Sequence, residues 1–515
     1  MNALFAENLV GPSISWMGIS PLLVLLGGVC VLLLLGSIAP RWPKGSYCVF
    51  TVVVSLATAV AAMLQWRDVT KNGPKMLIAD AVALDHFALL ATIAIAISIA
   101  LVSLITDDYL RREDYDGPEV YALYLTAAIG GVVMASSNDL IVLFLGLETL
   151  SLSLYLLAAS HRKRAESQEA GLKYFVLGGF SSAFFLYGIA LTYGSTGSTN
   201  LSKIASALSG DSPFSQIDAM LLVGIGLMLV GLAFKVSAVP FHVWTPDVYE
   251  GAPSPVTAFM ASAGKIASFA ALLRVLVVAF PTRIDDWRPA IWVLAVLTLL
   301  AGSILAVVQT NVKRMLAFSS ISHAGFLLVG VEAAGHVGDK DALAAVLTYL
   351  LLYAVLVIGS FAVVTVVAGK GDSHTTLDDF RGLGKRCPAM ALALTVFLLA
   401  QAGMPATSGF IAKFGVIKAA AEVQSYSIAI IAMLAAVIAA FLYLRIMVSV
   451  WLADSTDDTK LAIPTGAGIA ITLAAIFTIV VGVYPGWLLD ATRMVSNLAT
   501  IAIQAVDPAT QTPAG

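Results

Sequence analysis

The sequence predicts an all-α, polytopic membrane protein of about fourteen transmembrane helices, arranged as two inverted-repeat helix bundles with two discontinuous helices. Three observations carry this expectation. Of 515 residues, 59% are hydrophobic and only 12% charged, with a mean hydropathy of +0.91. Apolar runs long enough to cross a hydrocarbon core of about 30 Å as a helix recur along the chain. Two of these runs, 217–251 and 387–422, are too long for one straight crossing, and each contains its own breakers: Pro240 in the first, and Gly403, Pro405 and Gly409 in the second. An interior proline removes a backbone donor and clashes with the carbonyl four residues back. Interrupted segments at corresponding places in two halves mark inverted repeats. The correspondence is one of position, because the two segments share almost no residues.

In order, the expected spans are 19–39, 46–65, 84–106, 118–137, 139–160, 170–194, 217–251, 255–281, 289–310, 314–333, 341–369, 387–422, 424–453 and 461–489. The first lacks a basic leader and is long for a signal sequence, so it reads as a retained span. Between the second and third, 67–80 contains Lys-Asn-Gly-Pro-Lys, which suits either a short hairpin, since Asn-Gly favours a tight turn, or an irregular loop. These spans divide the chain into three N-terminal helices (1–117), a first repeat of helices 4–8 (118–281), a second of helices 9–13 (289–453), a last span (454–489) and a tail (490–515). The end of the tail, from Asp507, has the composition of a disordered segment.

Charge and motifs exclude several classes of function. A net charge of -3 gives no basic excess for nucleic acid. Cys30, Cys48 and Cys387 are widely spaced, with no CxxC and no Cys/His cluster, so neither a disulfide framework nor a metal site is expected. No strand–GxGxxG–helix pattern and no phosphate-binding loop occurs, so no nucleotide or flavin is expected on this chain. With the N-terminus outside, the inner loops hold fourteen lysines and arginines, among them Arg111, Arg112, Arg164, Lys313, Arg314 and Lys370, against eight outside. The positive-inside rule then places both termini outside the cytoplasm.

The stretch from Gly231 to Ala267 organises the rest. It sets Lys235 and Lys265 among apolar residues, with Pro240, Pro246, Pro253 and Pro255 between them. A charge at mid-membrane costs about 2.5–3.5 kcal/mol, so such lysines normally line a protein-buried or watered path. Glu148 lies in Leu-rich sequence with Ser151 and Tyr155 at i+3 and i+7, giving one polar helix face suited to a proton path. The competing reading is a purely structural pairing of that carboxylate with a lysine on a neighbouring helix. Lys265 has Ser262 and Ser268 three residues to either side, and the alternative for it, snorkelling to the interface, is weakened by its distance from Pro255. His323, one turn after Ser319 and Ser320, titrates near neutral pH and suits a relay, or is a hydrogen-bonded packing residue. Lys413 follows Gly409 by one turn, Lys418 is nearer the interface, and Lys173 is a candidate at the edge of its span. Burial disfavours a charged lysine by several pKa units and a nearby carboxylate restores it, so moving the carboxylate loads or unloads a buried lysine.

These residues carry a resemblance. VPFHVWTPDVYEGAPSPVTAFMASAGK, LGLETLSLSLYLL, KRMLAFSSISHAGF and GMPATSGFIAKF together resemble the subunit N family of bacterial NADH–quinone oxidoreductase, respiratory complex I, an antiporter-like membrane subunit family. The likeness covers the whole chain, and PFHVWTPDVYEGAPSPVTAF is its most specific part. It implies that Glu148, Lys235, Lys265 and Lys413 are the proton-transfer residues of helices five, seven, eight and twelve, with His323 at the tenth-helix position. It also implies a proton-translocating membrane-arm subunit in the bacterial inner membrane, with lipids, protons and sibling antiporter-like subunits as partners. No redox centre is implied here: FMN and iron–sulfur clusters would lie in partner subunits. A subunit of an Mrp-type cation/proton antiporter is the alternative, and a passive scaffold a third. The scaffold reading must accept four buried charges costing on the order of 10 kcal/mol.

Overall fold

In the computed structural model, which describes residues 14–38, 42–43, 45–115, 117–209, 218–336, 340–454 and 460–495, helix ends fall on short polar signals between the apolar runs. Helices α1 (Ser20–Ile38) and α2 (Ser46–Asn72) form the first two crossings. Gly73 ends α2 in the left-handed region (φ 78°), its N–H reaching Val69 O at 2.9 Å. The Asn-Gly pair therefore stops a helix, as glycine just past a helix end often does, and Arg67 and Lys71 belong to that helix rather than to a loop. The hairpin lies just beyond: β1 (Lys75–Leu77) pairs antiparallel with β2 (Val82–Leu84), turning through Ile78, Ala79 and Asp80.

Side-chain caps open three central helices. Asp85 caps α3 (His86–Arg112) by accepting from Ala88 N at 2.7 Å. After α4 (Glu119–Ser136), Asp139 caps α5 (Leu140–Ala158) through Ile141 N at 2.8 Å. Helix α6 (Ala165–Thr196) stops at Gly197 (φ 72°) before the short α7 (Leu201–Ser209). The seventh crossing is broken, α8 (Asp218–Val236) ending seven residues before α9 (Trp244–Gly251) begins. The eighth is α10 (Ser254–Phe259), a π-helical turn (Met260–Gly264), α11 (Lys265–Leu273) and a second π turn (Arg274–Ala279). Then come α12 (Ile284–Val307), α13 (Val312–Ala334), capped by Asn311 through Lys313 N at 2.9 Å, and α14 (Lys340–Ala368). The remainder is α15 (Leu383–Arg386), α16 (Pro388–Ala402), α17 (Ser408–Glu422), α18 (Tyr426–Leu452), α19 (Thr465–Val483) and α20 (Gly486–Val495).

Among the described residues thirteen helices are long and apolar enough to cross a membrane. The broken pair α16–α17 adds one crossing, matching the expected fourteen. The last expected span is two helices, since Pro485 starts α20 by accepting from Leu488 N at 3.0 Å. Gly409, expected as a breaker, lies inside α17, where a Cβ would collide with the Ala400 carbonyl. It allows close approach, and the break itself runs from Gly403 (φ 94°) to Thr407. The expected disordered tail from Asp507, and Arg41 and Lys44, two of the fourteen basic residues expected in the inner loops, lie outside the described residues.

The α10–α11 crossing, α13 and α14 are buried on nearly every side, while α1, α6, α12, α18 and α19 expose apolar faces such as Phe180 and Val437. One backbone device occurs twice. Around Asp139, Leu140 N donates to Thr199 O and Leu201 N to Asn138 O, both at 2.8 Å. Around Asn311, Val312 N donates to Thr375 O at 2.7 Å and Leu377 N to Thr310 O at 2.8 Å. Each bridge ties the start of α5 or α13 to the segment after the next long helix, α6 or α14.

Candidate functional site

The break in the seventh crossing leaves the last carbonyls of α8 without intrahelical donors. Trp244 Nε1 satisfies that of Phe234 at 3.0 Å and stacks on Tyr174, with ring centroids 4.3 Å apart. Lys235, the penultimate residue of α8 and 6% exposed, is thereby held in an aromatic surround: its Nζ lies 5.5, 5.6 and 5.8 Å from the ring centroids of Tyr155, Tyr174 and Phe234. Such rings stabilise a cation without fixing its proton. Nζ donates to Ser151 Oγ at 2.6 Å, and Ser151 donates back to the Leu147 carbonyl. Glu148, one turn from Ser151 on α5, accepts from Ser182 of α6. No ion pair joins Glu148 to Lys235 directly among the described residues. The expected polar face of α5 is present, with Ser151 as the group facing the lysine, while the buried Tyr155 hydroxyl makes no hydrogen bond among the described residues.

Lys265 stands where the first π turn meets α11, is 2% exposed, and donates to Ser320 O of α13 at 2.5 Å. The hydroxyls of Ser262 and Ser268 bond back to Ala258 O (2.6 Å) and Gly264 O (2.7 Å), so the expected polar face of that helix is turned on itself.

His323, three residues beyond Ser320 on α13, has both ring nitrogens engaged: Nδ1 with Tyr349 OH at 2.6 Å and Nε2 with Tyr443 OH at 3.2 Å. From Tyr443 a polar chain continues through Ser319 (2.7 Å), Gln401 Oε1 (3.2 Å) and, from Gln401 Nε2, Ser360 (2.7 Å). Gln401 is the last residue but one of α16, so this chain passes beside the second break before it reaches Ser360 on α14. There Lys413 of α17 reaches back across the break to Ala402 O at 3.2 Å, with its Nζ 4.8 Å from the Phe326 ring centroid. Phe326 stacks in turn on Tyr349 (6.3 Å). The two lysines expected near breaks thus sit on opposite sides of them, Lys235 before and Lys413 after.

Lys173 is 42% exposed and paired with Asp247 (2.8 Å) and Glu169 (2.7 Å) at one end of the bundle, away from this row. Lys418, also exposed, pairs with Glu422. Several buried polar groups were not singled out by the sequence reading. Tyr349, Tyr443 and Gln401 join His323 from other helices, and no local pattern marks them. Arg274, paired with Asp85, carried the same signal as Lys265, a charge in an apolar run. Lys313 and Asp372, placed in loops, are fully buried.

Two crossings broken in their middle, with buried lysines beside the breaks and a histidine between them, define an antiporter-like membrane subunit. Residues 137–439 match the family described as NADH:quinone oxidoreductase/Mrp antiporter, TM. The NADH-quinone oxidoreductase subunit N of Trichlorobacter lovleyi is 40% identical over 468 residues, 91% of this chain and 94% of the relative. A chain of respiratory complex I from Thermus thermophilus with bound aureothin is 31% identical, with a TM-score of 0.78 over 92% of this chain and 99% of that one. A chain of the Mrp complex from a Dietzia species, 21% identical, has a TM-score of 0.84 over 96% and 100%, a likeness of fold alone. The chain belongs to the NADH:quinone oxidoreductase/Mrp antiporter family and, within it, to the subunit N family of NADH-quinone oxidoreductases.

Proposed function

We infer that this chain is a proton-translocating membrane-arm subunit of NADH–quinone oxidoreductase, moving protons along Glu148, Lys235, Lys265, His323 and Lys413. The observation that carries the reading is the row of ionisable side chains inside the bundle, Lys235, Lys265, His323 and Lys413 buried and Glu148 half-buried, each held by a hydroxyl or carbonyl and none locked in a direct ion pair among the described residues. A lysine whose only partners are neutral can give up its proton without stranding a carboxylate. Glu148 shares α5 with the Ser151 hydroxyl that holds Lys235, so movement or neutralisation of the carboxylate changes the field at the lysine. Lys173 and Tyr155 stand at the margin of this path, the first as an ion-paired group at the surface, the second as a ring facing Lys235.

The subunit N relatives support placing FMN and the iron–sulfur clusters in partner subunits, with quinone reduced there. The excess of lysine and arginine at the end carrying Arg164, Lys313 and Lys370 supports an inner-membrane orientation with both termini periplasmic. The paired backbone bridges, one at each end of the bundle, support an inverted pair of repeats over 118–281 and 289–453.

The fold likeness to the Mrp chain keeps a cation/proton antiporter as a second reading. Purification through a tag on this chain separates the two. The expected result is a complex with flavin absorbance and iron–sulfur paramagnetic signals that acidifies liposomes on adding NADH and quinone. Sodium-driven proton exchange by a complex lacking both signals would establish the antiporter instead.

A narrower expectation concerns Ser151. Ser151→Ala removes the hydroxyl that receives Lys235 Nζ and leaves the fold otherwise intact. A hydrogen bond to a charged group contributes about 1.5–3 kcal/mol, so the pumping rate in the assembled complex should fall about tenfold or more. Unchanged pumping would show that Ser151 is only a neighbour.

A further inference from the structure

Where α9 turns into α10, the chain buries a second set of charges that the proton path does not use. Asp372, on the turn Lys370–Asp372 after α14, is 2% exposed and held at φ 50°. A non-glycine residue in this region is strained and persists where its surroundings impose it. Its Oδ2 accepts from Lys313 Nζ (3.0 Å), Ser254 N (2.9 Å), Ser254 Oγ (2.9 Å) and Arg164 Nη1 (3.5 Å). Lys313, wholly buried at the start of α13, also donates to Ala252 O at 2.6 Å. Oδ1 is buried with no hydrogen-bond partner among the described residues, and Asp372 lies at the wall of a polar cavity of about 500 Å³ whose lining includes Arg164, Asp247, Glu250 and Asn311.

Between Gly251 and Ser254 the corner offers a carbonyl at Ala252 and an unpaired helix-start N–H at Ser254. Lys313 takes the carbonyl and Asp372 takes the N–H, so both groups are met from the second half of the chain. The corner joins the segment after Lys235 to the segment holding Lys265. Helix α13 bears Lys313 at its start and, two turns on, the Ser320 carbonyl that receives Lys265 Nζ. One helix therefore grips the first half at the corner and at the buried lysine.

We propose that Asp372 is a positioning residue for proton transfer: acting through Lys313 and the start of α10, it pins the α9–α10 corner to α13 and so sets where Lys265 meets Ser320. This rests on the proton-translocating reading above. Burial alone would push the Asp372 carboxyl up, but the Lys313 ammonium, the Arg164 guanidinium and Ser254 hold it below the usual carboxylate range. It is a fixed anion at neutral pH, suited to holding parts in place and unsuited to carrying protons. A misplacement of about 1 Å slows a positioned transfer about 10²-fold, so a clamp on this corner has leverage.

The test uses the whole complex in liposomes, with D372N, K313M and the double variant D372N/K313M, measuring protons moved per NADH oxidised beside thermal stability. Lys235→Ala serves as the reference for the pumping this chain carries. D372N and K313M are each expected to remove most of what Lys235→Ala removes. The double variant strands neither member of the buried pair, and Arg164 keeps Glu166 at 3.4 Å, so its stability should recover towards wild type, while its pumping stays low because Ala252 has lost its donor. If D372N fails to assemble, the double variant carries the test. Recovery of pumping together with stability in the double variant would reduce the pair to a structural role, and wild-type pumping in assembled D372N would overturn the proposal outright. If Lys235→Ala itself pumps normally, the underlying proton path fails rather than the clamp.

Discussion

Lys235→Arg in the assembled complex is expected to abolish pumping through this chain about as fully as Lys235→Ala. The arginine keeps a positive charge near Ser151 and among Tyr155, Tyr174 and Phe234, so the cation–aromatic contacts and the charge balance are preserved. What it cannot do is release a proton, since a guanidinium stays protonated in proteins. Removing an acid–base group from a proton transfer slows that step about 10²–10⁴-fold. Assembly on a native gel and acidification of liposomes by NADH and quinone measure the two quantities separately. Glu148→Ala and Lys413→Ala should lose pumping in parallel. An arginine variant that assembles and pumps at the wild-type rate would leave the row of charges as packing, and the scaffold reading in its place.

The largest effect on stability should come from Arg274→Ala. Arg274 lies on the second π turn, where Nη2 meets Asp85 Oδ1 and Oδ2 at 2.8 and 2.7 Å and Nε meets Ala135 O at 2.5 Å. Its guanidinium carbon is 5.1 Å from the Phe87 ring centroid, and both side chains of the pair are almost wholly buried. Asp85 also caps α3 through Ala88 N. Deleting the arginine leaves a carboxylate buried without its counter-ion, at about 3–5 kcal/mol. Thermal unfolding of the purified complex, or the steady-state amount of this chain in the membrane, should show the loss. Replacing both partners with apolar residues, as in Asp85→Leu with Arg274→Met, should recover most of it. A single variant as stable as wild type would mean that water reaches the pair.

The crossings were readable because hydrophobic length and proline or glycine breakers are local properties, and the two broken helices fall inside the predicted ranges. Their lysines were readable for the same reason, a charge being conspicuous in an apolar run. By that rule Arg274 was equally conspicuous in Leu-Leu-Arg-Val-Leu-Val-Val. The π turns flanking α11 left no trace, since a π turn uses the same residue types with one more per turn. Ser262 and Ser268 read as a polar face, yet small hydroxyls in helices readily bond their own carbonyls four residues back. Asn-Gly suited either a hairpin turn or an irregular loop, but a glycine able to adopt positive φ serves a helix end as well as a turn, and the hairpin lies just beyond it. The partners of His323 were out of reach: Tyr349 is 26 residues away and Tyr443 120. Asp372 sits in polar loop sequence, and only the tertiary fold carries that loop under α10.

Helix α13 also has a bearing on how the chain reaches its final form. Of its residues, all but Arg314 and Ala334 are buried by other parts of the protein, and it carries Lys313, His323 and Glu332. During synthesis it leaves the ribosome before α14, α17 and α18, which supply Tyr349, the neighbourhood of Lys413, and Tyr443. A lone α13 in lipid would expose those ionisable groups to hydrocarbon. Its antiparallel neighbour α12, already made, is the partner against which it can shelter, and the two pack extensively along their length. The expected route for this half is therefore insertion as helical hairpins, with α13 sheltered against α12 until later segments close around it.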